Sequence, residues 1–302
     1  MPSASRAELT TIVRTPAAPP PPRRRRVGFG AVLVRRRTAL LGLVLIALFV
    51  VVAVVGPALS GYDPNTPVLA DRLRGPSANH VLGTDDTGRD IATRIAHGAR
   101  ISLLMGVVAM AISAAVGVPL GLVAGYLGGR WDLAVMRLVD ILLTLPSIVL
   151  ALVIVSVMGA GVTSVVVAVG ITTIPSFARL ARAAALTIRN LDFVQAARTL
   201  GGSDARILAR HLLPNALPPL IVQASLGVGT TILTAAALGF LGLGVQPPAP
   251  EWGAMLSRGR TYIVSAPHLV AFPGLAIALL VLGFNLVGDG LRDALDPRLR
   301  RL

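Results

Sequence analysis

The sequence of 302 residues contains no lysine and no cysteine. Without cysteine, the chain has no disulfide, no catalytic thiolate and no zinc–thiolate site. A Walker A loop needs a lysine that reaches the β- and γ-phosphates of a bound nucleotide. The missing lysine therefore excludes a P-loop ATPase, and all 28 basic residues are arginines.

Charge is scarce as well, because charged residues make up only 14% of the chain and hydrophobic residues 54%. Mean hydropathy is +0.75. A soluble domain is about 45–50% apolar and about a quarter charged. The apolar residues here form runs of roughly twenty, the length that a helix needs to cross about 30 Å of hydrocarbon. The composition predicts an all-α integral membrane protein.

Six such runs predict six transmembrane helices. The first resembles a signal peptide in polarity, but it is longer than the usual apolar region of about 7–15 residues and is interpreted as a membrane anchor. Prolines inside or near the spans are tolerated, since neighbouring helices can re-satisfy the freed carbonyls. The predicted spans are 38–56, 99–127, 133–157, 162–185, 217–243 and 268–287.

The arginines are distributed unevenly between the two sides of these spans. The N-terminal tail, the loop after the second span, the segment 176–213 and the C-terminus hold 21 of the 28. Arginine-rich loops remain in the cytoplasm, so both termini are expected there. The chain then divides into a disordered basic tail, a first helix, an extracytoplasmic segment, a five-helix core and a C-terminal tail, at 1–37, 38–56, 57–98, 99–288 and 289–302.

A row of glycines follows one face of the second predicted span. Gly117, Gly121 and Gly125 are four residues apart, a spacing that lets helix backbones approach closely. Packing within this chain and packing against a second subunit both fit this pattern.

The polar segment before the fifth span has the sequence FVQAARTLGGSDARILARHLLP, residues 193–214. Its start predicts a short helix with one apolar stripe at helical spacing. The glycine pair that follows breaks this helix, and Ser203 or Asp204 can cap a second one, which Pro214 ends. The stripe consists of Phe193, Ala196, Ala197 and Leu200.

Three interpretations of this segment compete: a helix resting on lipid, a loop folded on its own bundle, and a docking site for another protein. Helices that lie on lipid usually carry bulky anchors such as Trp, Phe and Leu. The centre of this stripe is instead two alanines, which suit the close approach of a protein surface.

Several motifs resemble one family. The Ala-Ala pair, a glycine four residues on and a Leu-Pro about a dozen later resemble the EAA loop of ABC importer membrane subunits. HVLGTDDTGRDIATRIAHGARISL, LGFLGLGVQPPAPEWGAML and FPGLAIALLVLGFNLVGDGLRDALDPRLR are similar to the second of the two paired permeases in dipeptide, oligopeptide and nickel importers. The likeness extends from about residue 30 to the C-terminus.

The resemblance implies a type I ABC importer permease fold and makes 190–214 a coupling loop that sits in a cleft of a cytoplasmic ATPase. Gln195 departs from the family, which has a glutamate there, and a neutral hydrogen bond is weaker than a charged one; Arg198 or Asp192 could compensate. The implied ATPase-coupling residues are Asp192, Phe193, Gln195, Ala196, Ala197, Arg198, Leu200, Gly201, Asp204 and Pro214.

The resemblance also implies partners. These are a homologous second permease, two ABC ATPase subunits that bind ATP and magnesium, an extracytoplasmic substrate-binding protein and membrane lipid. No cofactor, catalytic residue, metal or nucleic acid is assigned to this chain, and it is expected in the bacterial plasma (inner) membrane as a multi-pass protein.

Short peptides are the expected cargo, with nickel chelates or glutathione-like compounds as alternatives. A secondary transporter would need ionisable groups at the membrane midplane, and a scaffold that only recruits a soluble protein is a further rival.

On the outer side, the stretch GTDDTGRD contains three aspartates. It lacks the alternate acidic positions and closing glutamate of a calcium loop, so turn formation and helix capping are the better interpretation. The resemblance implies that this segment lies near the docking face for a binding protein. The predicted docking residues are Asp85, Arg89, Asp90, Gln246, Glu251 and Trp252.

Ionisable residues within the spans are rare. A carboxylate there normally faces a cavity or a partner, and Arg137 lies one turn from Asp140. An ion pair between the two is therefore predicted, with a place in the transport pathway as the alternative. Asn285 near the end of the last span is similarly ambiguous, and the four histidines do not have metal-ligand spacing.

Overall fold

The computed structural model describes residues 36–295, so most of the predicted basic tail and the end of the C-terminal tail lie outside the described residues. Within that range the chain is helical apart from turns and a mostly irregular segment, 60–90, which contains one isolated bridge between Thr84 and Asp90. The helices are α1 (Arg37–Leu59), α2 (Ile91–Leu127), α3 (Gly129–Leu143), α4 (Ser147–Met158), α5 (Val162–Ile188), α6 (Asp192–Thr199), α7 (Asp204–Ile207), α8 (Leu213–Phe240), α9 (Trp252–Gly259) and α10 (His268–Leu295).

Five helical stretches are long and apolar enough to cross a membrane, and the α3–α4 pair makes up to six. The all-α membrane fold predicted from the apolar runs is therefore confirmed. The second span begins earlier than predicted, because Asp90 caps α2 by accepting a hydrogen bond from the backbone N–H of Thr93.

The third predicted span, 133–157, is not one straight helix. α3 and α4 meet at an angle of 87°. The bend lies at Pro146, which has no N–H to donate and disfavours helical backbone in the residue before it. Sequence periodicity alone does not distinguish such a bend from the tolerated prolines of other spans.

Pro214 was predicted to end the loop helix, and this is wrong. After α7 the chain passes through a π-helical turn, Leu208–Leu212, and continues directly into α8. The N–H of Leu213 donates to the carbonyl of Leu208. Pro214 lies just after the π-helical turn, which continues into α8 without ending at the proline. The fifth span is thus continuous with the loop, over 204–240.

The glycine row of α2 packs inside this chain against α5. A Cβ at Gly117 would lie 2.7 Å from the carbonyl oxygen of Ile174, and one at Gly125 would lie 2.6 Å from that of Arg182. A Cβ at Gly121 would collide with the carbonyl oxygen of Ala178. Of the two packing partners that the glycine spacing allowed, a helix of the same chain or a second subunit, the structure shows the helix of the same chain.

α5 is the central helix and α1 the peripheral one. The apolar window of α5 is 56% buried within the chain, whereas that of α1 is 22% buried. α1 packs on α10 through Gly42, and Arg36 at its start forms an ion pair with Asp293 near the end of α10. This arrangement places the loop 190–214 between the ends of the central α5 and of α8; we call this end of the bundle the loop side.

We expect Gly121→Ala to lower the stability of the folded chain. The added methyl would have to displace the backbone of α5, and overpacking of this kind costs about 1–3 kcal/mol. Thermal unfolding of the purified protein in detergent measures the change. Gly61→Ala is the matched control, because no atom lies within 4 Å of a Cβ at that position; equal midpoints for the two variants would contradict the prediction.

Candidate functional site

The predicted apolar stripe of α6 is divided between two faces of the helix. Val194 is fully buried, and Ala197 is partly buried against the core. Phe193, Ala196 and Leu200 are exposed, with 87% of Leu200 accessible. The expectation that both alanines face outward is wrong for Ala197, because Val194 and Ala197 lie one turn apart on the side that covers the bundle.

The helix–turn–helix geometry of the loop is confirmed. Gly201 adopts a φ of +78°, a left-handed conformation that favours glycine, and its N–H donates to the carbonyl of Arg198. The Ser203 hydroxyl accepts from the N–H of Arg206 and caps α7. The glycine pair is therefore a defined turn between α6 and α7.

Tyr126 at the end of α2 holds the two loop helices together. Its hydroxyl donates to Asp204 Oδ1 at 2.8 Å and accepts from Arg198 Nε at 3.1 Å. The Arg198 guanidinium also lies 4.6 Å from the centre of the Tyr126 ring, within cation–π range. Arg198 and Asp204, both assigned to partner contact by the sequence, thus bind their own bundle.

Tyr126 was not among the predicted site residues. A tyrosine near the end of an apolar span is typical of the membrane–water interface, so its sequence context gives no sign of a loop anchor. Its only distinguishing feature is its position directly after the glycine row, which brings it next to the loop once α2 packs on α5.

A second set of contacts fixes the start of the loop. Arg189 donates to the carbonyl of Gly125 at 2.9 Å, and the Gln195 amide donates to the carbonyl of Arg189 at 3.2 Å. A glutamate has no N–H and could not make the second bond. The residue that departs from the family motif therefore has a contact within this chain, and Asp132 and Arg182 brace α3 against α5 nearby.

The outward face of the loop combines apolar and basic residues. The exposed Phe193, Ala196 and Leu200 lie on α6, with Arg206 and Arg210 exposed on the following helical turns. The Phe193 ring lies 6.2 Å from that of His211, which ties α6 to the π-helical turn. An ordered apolar patch bordered by cations can bind a protein surface that has an apolar cleft and acidic rim.

Five of the six predicted docking residues on the opposite side are buried. Gln246 alone of the six is exposed, and the buried five are Asp85, Arg89, Asp90, Glu251 and Trp252. Their side chains are not available to a partner, so the assignment of these five to direct docking is wrong. They hold two segments, 60–90 and 241–267, against the helices instead; we call these two together the outer segment.

The aspartates form turns and caps, as predicted. Asp85 accepts from the N–H groups of Thr87 and Arg89 and from Arg89 Nε at 2.8 Å. Burial raises the pKa of Asp85, but these hydrogen bonds and the positive charge of Arg89 outweigh it and hold the pKa below its usual value. Asp90 contacts His80 Nδ1 at 3.0 Å in addition to capping α2.

Glu251 and Trp252 join the outer segment to the spans. Trp252 Nε1 donates to the carbonyl of Ile95 in α2 at 3.1 Å, and its ring packs edge-on against Phe49. Glu251 caps α9 by accepting from the N–H groups of Gly253 and Ala254, both at 2.8 Å. Burial raises the pKa of Glu251 to about 7, because these two bonds only partly offset the loss of water.

The predicted ion pair between Arg137 and Asp140 is absent from the described residues. Asp140 pairs with Arg179 of α5 at 2.8 Å instead. α5 runs beside α3 and brings a guanidinium to Asp140, whereas Arg137 remains exposed.

Asn285 is exposed and its side-chain oxygen lies near Gly229 of α8. The residues that the structure describes contain no cluster of three or more His, Asp or Glu fit for a metal ion.

Residues 117–301 match the family model described as binding-protein-dependent transport system inner membrane component. Residues 29–76 match the N-terminal transmembrane domain of oligopeptide transport permease C.

Curated relatives cover most of the chain. It is 50% identical to a dipeptide transport system permease of Alkalihalophilus pseudofirmus, over 88% of each chain. It is 47% identical to a glutathione transport system permease of Pectobacterium atrosepticum, over 88% of this chain and 89% of that protein. A probable D,D-dipeptide transport system permease of Escherichia coli is also 47% identical, over 84% and 86%.

Solved structures agree with the fold. An inward-facing structure of the MetNI methionine ABC transporter superposes with a TM-score of 0.55 at 22% identity, covering 67% of this chain and 96% of the matched chain. At that identity the likeness concerns the helical architecture alone.

We expect Tyr126→Phe to loosen the loop without unfolding the bundle. The ring and its packing remain, but the bonds to Arg198 and Asp204 are lost, and bonds to charged groups are worth about 1.5–3 kcal/mol. Backbone amides of 192–207 should exchange hydrogen about tenfold to a hundredfold faster, as measured by mass spectrometry. Tyr262→Phe, which removes a hydroxyl bonded to Arg72 at an exposed site, should leave this loop unchanged. Unaltered exchange in Tyr126→Phe would contradict the anchoring role.

We expect Glu251 to make stability depend on pH. Its pKa is about 7 in the folded protein and 4.5 without burial, so the folded state retains a proton that the unfolded state releases. This contribution is fully present below pH 4.5, declines as the pH rises toward 7, and amounts to about 3 kcal/mol. Glu251→Gln stays neutral and should show a smaller fall in unfolding temperature between pH 5 and pH 8; an identical fall would reject the assignment.

Proposed function

Since the chain belongs to the family of binding-protein-dependent transport system inner membrane components, we propose that its 190–214 loop couples an ATP-driven importer for short peptides to its ATPase. The chain is a multi-pass bacterial inner-membrane permease and not the ATPase of the system. The observation that carries the proposal is the outward face of α6, with exposed Phe193, Ala196 and Leu200 on a helix held rigidly from behind.

Short peptides are the cargo that the relatives favour. A dipeptide permease and a probable D,D-dipeptide permease stand at 50% and 47% identity. Glutathione, named for a relative at 47% identity, is a tripeptide and makes a specific second candidate. Both candidates are zwitterionic molecules of a few residues, which is the chemical class that we assign.

The ATPase subunits would bind α6 and move it as they close on ATP. The motion reaches the spans by two routes: directly through α5 and α8, and through Tyr126 into α2. α2 has 37 residues and is therefore about 55 Å long. At its far end Ile95 accepts the hydrogen bond of Trp252. The loop and the outer segment are thus both attached to α2, and rigid-body gating requires such a connection.

In this arrangement both termini and the loop face the cytoplasm. The arginine-rich segments support this orientation. The described ends of the chain also lie together, because Arg36 pairs with Asp293. A homologous second permease would complete the pathway, two ATPases would bind from the loop side, and a binding protein would approach the opposite side near the exposed Gln246.

We expect Ala196→Arg to release the ATPase subunits from the detergent-solubilised complex. A long cation in place of a methyl would prevent close seating of α6, while the helix itself remains folded because Ala196 is exposed. Co-purification of the ATPases with the tagged permease measures the loss, and peptide uptake should fall with it. Ala78→Arg makes the same change at an exposed position on the opposite side and should retain them.

Ala197→Arg provides an internal comparison. Ala197 is packed against the core, so this change should lower the yield of folded permease itself. Full ATPase retention and uptake in Ala196→Arg would reject the coupling role of the loop.

A further inference from the structure

The ion pair between Asp140 and Arg179 has an unusual setting. The two side chains meet at 2.8 Å, yet 55% of Asp140 and 56% of Arg179 are exposed. Both residues lie on helices of the membrane-spanning bundle, α3 and α5. The pair therefore faces outward from the chain, and Arg179 belongs to a helix that is long and apolar enough to cross a membrane.

The depth of the pair follows from the packing of α5 on α2. Ala178, the neighbour of Arg179, lies against Gly121, which is seven residues before the end of α2 at Gly128. At 1.5 Å per residue this is about 10 Å from the loop-side end. Asp140 is eleven residues from the start of α3, about 16 Å along that helix. The pair thus lies in the loop-side half of α5 and near the far end of α3, shortly before the bend at Pro146.

Lipid is an unfavourable environment for these charges. Ionisable groups within spans almost always face a bundle interior or a water-filled cavity. The pair is not required as a clamp between α3 and α5 either, because Asp132 and Arg182 already join these helices closer to the loop. Those two side chains are more covered, at 23% and 34% exposure.

A third charge accompanies the pair. Arg137 lies one turn before Asp140 on α3, is exposed, and has no ion-pair or hydrogen-bond partner within residues 36–295. The outward surface of α3 and α5 therefore carries two guanidinium groups and one carboxylate within the span. Such a cluster offers an acceptor for one cation and donors for an anion.

We propose that Arg137, Asp140 and Arg179 form a subsite of the transport pathway that binds the charged termini of a short peptide. Asp140 accepts the ammonium group of the peptide, and the two arginines donate to its carboxylate. An extended dipeptide spans about 7 Å, so both termini can reach charges on two adjacent helices. The ion pair opens when peptide enters and re-forms when it leaves, which keeps the charges paired in the empty site.

This inference rests on the proposed function, since it requires a peptide pathway on this face. It also explains why the pair is half exposed. A pair that exchanges partners with a passing zwitterion must remain accessible to water, and half-exposed side chains meet this requirement.

The absence of cysteine from the chain permits a direct test. Ala183 lies on α5 one turn beyond Arg179 and is exposed, so Ala183→Cys introduces a single thiol beside the subsite. In the assembled complex with second permease and ATPases, a membrane-impermeant thiol reagent should modify this cysteine. Free alanyl-alanine should slow the reaction about tenfold, whereas the N-acetylated, C-amidated dipeptide should not. Ala78→Cys, exposed on the opposite side, should react equally with and without peptide.

The charges are then removed in the Ala183→Cys background. Asp140→Asn and Arg179→Gln should each abolish protection by alanyl-alanine, because a lost bond to a charged group weakens binding about tenfold to a hundredfold. Three results would overturn the subsite: a thiol that does not react in the complex, equal protection by free and blocked peptide, or protection unaffected by both substitutions.

The failure of this subsite can be separated from failure of the importer role. A wild-type complex that retains no ATPase and imports no peptide contradicts the proposed function. A complex that imports alanyl-alanine, yet gives any of the three results above, contradicts the subsite alone.

Discussion

The close contact between α2 and α5 determines where the functional parts of this chain lie. Gly117, Gly121 and Gly125 leave no room for a side chain between the two backbones, so the helices are fixed in register. That register brings Tyr126, the residue after the glycine row, to the loop that follows α5. It also brings Arg189 to the Gly125 carbonyl. The same small residues thus pack the bundle and position the loop.

Many charged residues of this chain make contacts within the chain itself. On the side opposite the loop, Asp85, Asp90 and Glu251 are buried, and each accepts at least one hydrogen bond from a backbone N–H group. A buried carboxylate without such bonds would be costly, so their burial and their hydrogen bonds belong together. On the loop side, Arg198 and Asp204 bind the Tyr126 hydroxyl, whereas Phe193, Ala196 and Leu200 of α6 remain exposed.

The sequence predicts the helical class, a close approach of another helix to the glycine row and the two loop helices, since each depends on local pattern: apolar length, spacing of four, and a glycine pair followed by a capping residue. It leaves open whether the glycine row packs within the chain or against a second subunit. The sequence does not predict features that depend on tertiary contacts, such as helix ends, the buried face of α6 and the partner of an ion pair. Pro146 bends its span and Pro214 does not end its helix, because a proline's effect depends on whether a neighbouring turn adapts. The inward face of Ala197 and the partner of Asp140 depend on α5, which periodicity within α3 or α6 does not describe.

Pre-ordering of α6 has an energetic consequence for coupling. A helix of eight residues is unstable in isolation, because nucleation fixes several residues before hydrogen bonds compensate. Burial of Val194 and the hydrogen bonds of Tyr126 stabilise the helical conformation of α6 within the permease itself. A partner that binds α6 therefore gains contact energy without having to fold it. Because the helix is attached to α2, force applied to α6 acts on the bundle instead of melting the loop.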